Sequence, residues 1–393
     1  MAQDAALSRP KPGFEFLWGH FLFNRNFHEP IKAPIQYPLP RLQVRRTLLR
    51  FMIRGLLRLL TRTKIEGLEK IPKEGPVILA GNHAAFLEPV LMAVIPKRLV
   101  EPIGAGDLPF EGILDKLVSY YGFIPVNRGN LDRTGVNQAL DVLKQDGVIG
   151  IFPEGGVWAP GRMPPQIGVA LLSQRAGAPV VPIGFSGLKG SFQQALQLKH
   201  PRLRMRIGEV IPALEASDGG VNKDQLLAYS RHVLNAIYAL ISEEEKSLIP
   251  MEAYYSLSLK VAGKEIPDLP WGSAFARFLH SPLLLDSFKK NLKLPVGGLY
   301  EQDGIVDTAA MQTALNAVMD YLKVNPAFFT YRFGMEEGNR VAEGTQELQS
   351  LLDKANAAGK VVRLDTHEVI AYKDGRLETS ERHFVIGPGN HPG

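Results

Sequence analysis

Short apolar segments alternate with helical segments between about residues 76 and 183. Strands are predicted at 76–80, 122–126, 147–152 and 180–183. The helices between them are predicted at about 89–95, 134–145 and 167–175. Gly147 and Gly177 stand where the last two helices should end. This alternation indicates an α/β domain. Pro182 predicts that the last strand lies at a sheet edge or borders a cleft.

Polar residues with catalytic potential follow the first predicted strand. His83 lies in the loop after this strand, and Glu88 lies where the next helix begins. Within one continuous helix, five residues turn a side chain by about 140° net, so the two face each other only across a strand–loop–helix turn. An imidazole there can take a proton from a hydroxyl while a carboxylate orients the ring. The alternative is a loop histidine that hydrogen-bonds to the backbone.

Four motifs in this order make the pattern specific. They are Asn82-His83-x4-Glu88, Gly122-Phe-Ile-Pro-Val-Asn-Arg128, Phe152-Pro-Glu-Gly155 and Val181-Pro-Ile183. At these residues the chain resembles the glycerolipid acyltransferase family, over roughly residues 65–249. The resemblance implies a mixed sheet flanked by helices. It also implies acyl transfer to a hydroxyl of glycerol phosphate, lysophosphatidic acid or a related lysolipid.

The resemblance also implies roles for individual residues. His83 would be the general base, and Glu88 would orient it. Arg128 would contact the acceptor's phosphate through its guanidinium group, for which the alternative is a surface ion pair. The acceptor site would further include Asn82, Phe152, Pro153, Glu154 and Gly155.

The chain departs from the family's usual pattern at three places. Glu88 stands where members carry Asp, and one extra methylene displaces a carboxylate by about 1 Å, an error that can cost about 10²-fold in rate. Residues 156–158 are Gly-Val-Trp instead of Thr-Arg-Ser, and Gln166 stands where many members carry Lys. Two expected cations are therefore missing, and Arg162 is the candidate substitute.

Composition narrows the chemistry further. The chain has no cysteine, which excludes disulfides, thiolate nucleophiles and thiolate metal sites. No metal constellation and no nucleotide-binding glycine motif is evident. We therefore expect no cofactor beyond the acyl donor, which is acyl-CoA or acyl carrier protein. The whole chain carries a net charge of +5, and its positive charge is concentrated in the first 250 residues because the remaining residues contain more acidic than basic side chains. This distribution suits a phosphate-bearing substrate or anionic lipid. No nucleic-acid motif is present.

The N-terminal segment, residues 1–64, is predicted to associate with membranes. Basic residues at 46, 50, 54, 58 and 62 share one side of a helix without acidic residues, and leucines occupy the other. The predicted membrane contacts are Arg46, Arg50, Arg54, Arg58, Leu49, Met52 and Leu56. The alternative is a helix that packs its leucine side on the domain with arginines in water. No uncharged stretch is long enough to span a bilayer, and no signal peptide is evident, so a peripheral site on the cytoplasmic face is expected.

The C-terminal part, residues 250–393, is predicted to form a small α+β module of unknown role. Helices are predicted near 307–322 and 345–358, and strands near 328–333, 361–372 and 376–386. The Lys373-Asp374-Gly375 turn indicates a hairpin between the last two strands.

The function expected from residues 65–249 is acyl transfer in phospholipid synthesis or remodelling at a membrane surface. The rival hypothesis is a catalytically silent lipid-binding or scaffolding protein. In that case Glu88 in place of Asp and the two missing cations reflect the loss of catalytic activity.

Overall fold

A computed structural model describes residues 40–388, apart from 84, 86, 106–119, 127–131, 156–164, 217–220, 248–249, 282–284, 286–287, 290–291, 301–304 and 326–334. The described residues form two sheets, one of seven strands and one of five. Within this part of the chain, no helix is long and apolar enough to cross a membrane.

The first sheet is mixed and carries helices on both faces, as the predicted fold class requires. Its strands are β1 (Arg62–Glu66), β2 (Val77–Gly81), β3 (Val100–Ala105), β4 (Ile124–Val126), β5 (Val148–Ile151), β6 (Val180–Ser186) and β7 (Arg202–Ile207). They lie in the order β1-β7-β6-β2-β5-β3-β4. All neighbouring pairs are parallel except β6 and β7.

The helices of this part are α1 (Pro40–Leu60), α2 (Leu87–Val94), α3 (Arg133–Lys144), α4 (Gly168–Ala176), α5 (Ser191–Leu196), α6 (Lys223–Leu240) and α7 (Glu243–Ser247). Alternate residues of β2 point to opposite faces of the sheet. Val77 and Leu79 pack with α1 and α2, whereas Ile78 and Ala80 pack with α3, α4 and α6. The five residues of β2 are all buried, as befits a central parallel strand.

Of the two positions predicted for the strand at 180–183, a sheet edge or the border of a cleft, the sheet edge is wrong. β6 lies in the interior, between β7 and β2. Pro182 fits there because the pairing of β6 with β7 begins at Ile183, so the missing proline N–H falls outside that ladder. The Pro182 carbonyl still accepts a hydrogen bond from the backbone N–H of Gly208, at 2.8 Å.

The second sheet contains β8 (Pro250–Val261), β9 (Lys264–Glu265), β10 (Ile305–Asp307), β11 (Val362–Tyr372) and β12 (Leu377–Gly387), in the order β10-β12-β11-β8-β9. Helices α8 (Gly272–Leu279), α9 (Thr308–Val324) and α10 (Met335–Ala357) pack on one face of it. β11 and β12 form the hairpin that their turn predicts, with Gly375 at φ 82°. The strand β8 was not predicted, and the strand predicted near 328–333 lies outside the described residues.

Candidate active site

The candidate site forms where two parallel strands end side by side. β2 and β5 are neighbours with matching register, from the pair Val77 and Val148 to the pair Ala80 and Ile151. Their following loops therefore leave the same edge of the sheet. One loop carries His83 and the other carries Phe152 and Glu154. Ligands of open α/β sheets bind at this edge.

The predicted meeting of His83 with Glu88 is confirmed by the geometry. Because α2 begins at Leu87, Glu88 lies in its first turn, and its Oε2 lies 3.6 Å from Nδ1 of His83. This is longer than a hydrogen bond. The Glu88 side chain is 1% exposed and that of His83 is 23% exposed. Nδ1 of His83 is buried and has no hydrogen-bond partner among the described atoms. The catalytic roles of both residues stay predictions.

The structure shows how the longer acid is accommodated. Oε2 of Glu88 accepts a hydrogen bond from the backbone N–H of Ala85 at 2.9 Å. Ala85 lies two residues before α2, so this hydrogen bond ties the loop to the first turn of the helix. The same oxygen thus holds the loop and faces the imidazole.

Phe152, a predicted acceptor contact, stacks on the imidazole. The ring centroids of His83 and Phe152 are 4.5 Å apart, with an interplanar angle of 29°. This contact limits rotation of the histidine ring about its long axis. The next residue, Pro153, is buried, and its carbonyl accepts from the N–H of Gln166 at 2.8 Å. Gly155 closes the turn with a positive φ of 73°, which glycine adopts without strain.

Glu154 does not match its predicted role as an acceptor contact, because protein donors engage both of its carboxylate oxygens. Oε2 accepts from the backbone N–H of His83 at 3.3 Å, and Oε1 accepts from the hydroxyl of Tyr238. The residue is 7% exposed. Burial raises the pKa of Glu154, an effect that the hydrogen bonds from Tyr238 and His83 partly oppose.

Asn82 also departs from its predicted contact with substrate. Its Nδ2 donates to the carbonyl of Phe185 at 3.1 Å, and its Oδ1 accepts from the N–H of Phe185 at 2.8 Å. The residue is 5% exposed. Both ends of the side-chain amide are thus used to join the loop after β2 to β6. Asn82 fixes the loop that carries His83.

The two arginines predicted to bind phosphate fall outside the described part of the chain, and two residues that were not predicted lie at the site. Arg128 and Arg162 lie outside the described residues. Tyr238 and Phe185 contact the site without having been predicted, since neither lies in a motif. The one available signal for Tyr238 is that a buried Glu154 requires a donor. Among the described residues, no group of three or more His, Asp or Glu is arranged to hold a metal ion.

The arginines of α1 do not face outward as predicted. Arg46 is 2% exposed and pairs through both guanidinium nitrogens with Glu101, while its Nε donates to the Tyr121 carbonyl at 2.6 Å. Arg50, 7% exposed, donates to the carbonyl of Pro96. Contact of these two arginines with lipid is therefore a wrong prediction, because protein groups already hold their charges.

The side chain of Arg54 also points toward the domain, whereas that of Arg58 does not. Nε of Arg54 donates to the carbonyl of Val94 at 2.7 Å, so Arg50 and Arg54 both bind carbonyls at the C-terminal end of α2, where cations are favoured. Arg58 is exposed. Leu49, predicted to contact lipid, is instead buried in the domain core.

The outward side of α1 is apolar. Two predicted lipid contacts, Met52 and Leu56, are on this side. We call the exposed set the open face of α1; it comprises Val44, Leu48, Phe51, Met52, Leu56 and Leu59, each at least half exposed. The alternative, in which leucines pack inward and arginines face water, holds for Leu49 and Arg58 but fails for Arg46, Arg50 and Arg54, which bind protein acceptors. The helix is amphipathic, with its polar row inside.

Comparisons with known proteins address the same part of the chain. The family described as Acyltransferase matches residues 62–186. A 1-acyl-sn-glycerol-3-phosphate acyltransferase of Bacillus subtilis (strain 168) is 21% identical over 173 residues, which are 44% of this chain and 84% of that protein. A crystal structure of the 1-acyl-sn-glycerophosphate (LPA) acyltransferase PlsC from Thermotoga maritima aligns with a TM-score of 0.38 and 19% identity, covering 59% of this chain and 89% of that one.

Proposed function

We propose that this chain, which belongs to the acyltransferase family through residues 62–186, moves a fatty acyl chain from a thioester to a hydroxyl of a glycerol-phosphate-type acceptor such as lysophosphatidic acid. The observation that carries the proposal is the placement of His83 beside the buried Glu88, at the sheet edge where the loops after β2 and β5 meet. The name of the Bacillus subtilis relative supports the choice of acceptor class.

His83 acts as the general base in the proposed reaction. Nε2 of its imidazole, the ring nitrogen that does not face Glu88, takes the proton of the acceptor hydroxyl as the oxygen attacks the thioester carbonyl. The new C–O bond forms, the C–S bond breaks, and the proton leaves with the thiol. Glu88, 3.6 Å from Nδ1, stabilises the imidazolium that forms in between. A general base of this kind accelerates a reaction by about 10²- to 10⁴-fold.

The donor in this proposal is acyl-CoA or acyl carrier protein. The thioester itself supplies the activated acyl group, so the reaction requires no further cofactor. Arg128 and Arg162 remain our candidates for the contact with the acceptor's phosphate, since a guanidinium group binds phosphate oxygens in a bidentate manner.

The open face of α1 is the proposed contact with the membrane. Six large apolar side chains on one side of a surface helix form the type of face that enters the headgroup region of a lipid bilayer. The exposed Arg58 would add attraction to anionic lipid. A lysolipid acceptor resides in such a surface, and the protein would act on it as a peripheral protein of the cytoplasmic face.

Thiol release from the donor tests the reaction. Purified protein is mixed with long-chain acyl-CoA or acyl carrier protein and with lysophosphatidic acid, glycerol 3-phosphate or a neutral lysolipid. We expect acceptor-dependent thiol release that falls at least 10²-fold in His83→Ala with folding unchanged. Release by His83→Ala at the wild-type rate would contradict the mechanism. No acceptor-dependent release with either donor would favour the lipid-binding scaffold.

Vesicle binding tests the membrane contact separately. Leu48→Ser and Phe51→Ser together should weaken sedimentation with anionic vesicles, because each removes exposed apolar surface from α1. The matched control is Leu196→Ser on α5, since Leu196 is also an exposed helical leucine, at 65%. Equal binding by all variants would refute the assignment of the open face.

A further inference from the structure

We propose that Tyr238 is a positioning residue for His83 and acts through the carboxylate of Glu154. Tyr238 lies on α6, outside the residues that match the family, and is 8% exposed. Its hydroxyl donates to Oε1 of Glu154, and Oε2 of Glu154 accepts from the N–H of His83. One carboxylate thereby joins α6 to the loop between β2 and α2.

The link acts on the backbone of His83 itself, whereas the contacts of its ring act on the side chain. Phe152 restrains the plane of the ring, and Glu88 lies beside Nδ1. Neither holds the backbone. The hydrogen bond from the N–H of His83 to Glu154 does so, and it depends on the direction in which the carboxylate points.

Tyr238 sets that direction. Among the residues that the structure describes, the titratable groups that act on Glu154 are Tyr238, His83 and Glu88, and Tyr238 is the one whose side chain donates a hydrogen bond to the carboxylate. A buried carboxylate is costly, and an apolar pair would join α6 to the sheet at lower cost. A polar link at this position is therefore better explained by its effect on His83 than by fold stability.

Loss of the Tyr238 hydroxyl should affect turnover more than acceptor binding. Without this donor, the carboxylate of Glu154 is free to rotate away from the N–H of His83. A displaced base lowers the rate of proton transfer, and errors of about 1 Å can cost about 10²-fold. Neither Tyr238 nor Glu154 need touch the acceptor for this effect. The expected signature is a lower kcat with KM nearly unchanged.

The kinetic test compares two Tyr→Phe variants on the same helix and rests on the proposed function. Tyr238→Phe should lower kcat by about 10- to 100-fold and change KM by less than about twofold. The matched control is Tyr229→Phe, because the Tyr229 hydroxyl also forms hydrogen bonds, with Ser173 and the Pro212 carbonyl, but does not touch Glu154. An equal kcat loss in both variants would overturn the proposal, as would none in Tyr238→Phe.

A double variant and a spectroscopic readout complete the test. Glu154→Gln with Tyr238→Phe should lose no more activity than the more impaired single variant, since both changes break one link, and additive losses would oppose the proposal. In protein labelled with ¹⁵N-histidine, the amide resonance of His83 is the one missing from His83→Ala.

This amide resonance should shift in Tyr238→Phe and stay in place in Tyr229→Phe. Because it needs no turnover, an inactive wild-type protein would refute the proposed function while the resonance still decides the role of Tyr238. An unmoved resonance in Tyr238→Phe would overturn the positioning role.

Discussion

Shortening Glu88 to aspartate should impair this protein. The change Glu88→Asp removes one methylene and retracts the carboxylate by roughly 1.3 Å, given C–C bonds of about 1.5 Å. The contact with the N–H of Ala85, now 2.9 Å, would open to roughly 4 Å, beyond hydrogen-bond range. The gap to Nδ1 of His83, now 3.6 Å, would widen by a similar distance.

Two losses should follow from Glu88→Asp. The missing hydrogen bond to Ala85 should lower the free energy of unfolding by about 0.5–1.5 kcal/mol. The displaced carboxylate no longer holds the imidazole in position, so kcat should fall by up to about 10²-fold. The assays are acceptor-dependent thiol release for kcat and KM, and thermal unfolding for stability.

The variant Glu88→Gln separates length from charge. Its side-chain oxygen can still accept from the N–H of Ala85, so stability should stay near that of the wild type. It cannot stabilise an imidazolium as a carboxylate does, so kcat should still fall. If Glu88→Asp kept both the wild-type kcat and the wild-type melting temperature, the account of why a glutamate stands here would be wrong.

Three further predictions concern stability, each measured by denaturant or thermal unfolding. Arg46→Met should lower the free energy of unfolding by about 3–5 kcal/mol because it leaves Glu101 buried without its cation. A smaller loss in the double variant Arg46→Met with Glu101→Met would confirm that the unpaired carboxylate causes the loss. Burial raises the pKa of Glu154, so its contribution to the free energy of unfolding is greatest below the ordinary pKa of glutamate and is lost as pH rises through the raised pKa. Between acidic and neutral pH, the wild type should therefore lose stability relative to Glu154→Gln. Parallel pH profiles of the two proteins would contradict this. Gly187→Ala should destabilise by more than about 1 kcal/mol, since its φ is 76° and a Cβ would lie 2.2 Å from the Arg202 carbonyl oxygen; a neutral effect would show that the turn relaxes.

The strands and helices that surround the site could be predicted from sequence because each depends on local pattern. The apolar run before His83 and the glycines that end helices are signals within a few residues. The meeting of His83 and Glu88 could also be predicted, since only a turn brings a five-residue spacing together. The position of β6 could not be predicted. A proline inside a sheet is tolerated where its missing N–H faces a place at which the neighbouring strand has ended, and the end of β7 opposite Pro182 is not visible in the local sequence.

The inward side of α1 could not be predicted from its amphipathic pattern. That pattern shows that arginines and leucines occupy different sides, but which side is buried depends on the acceptors that the domain offers. Arg46 finds Glu101 and the carbonyl of Tyr121, and Arg54 finds the carbonyl of Val94. These partners lie 40 to 75 residues away in sequence. Burying a cation is favourable only with such partners, and no local rule reveals them.

This arrangement connects the proposed membrane contact to the proposed catalytic carboxylate through one short helix. Arg50 and Arg54 hold the C-terminal end of α2, and Glu88 lies in its first turn. α2 has eight residues and therefore spans about 12 Å. Because these arginines face the domain, the opposite side of α1 is left exposed. The buried arginines thus fix the distance between the open face of α1 and His83, as the proposed acyl transfer to an acceptor embedded in a lipid surface would require.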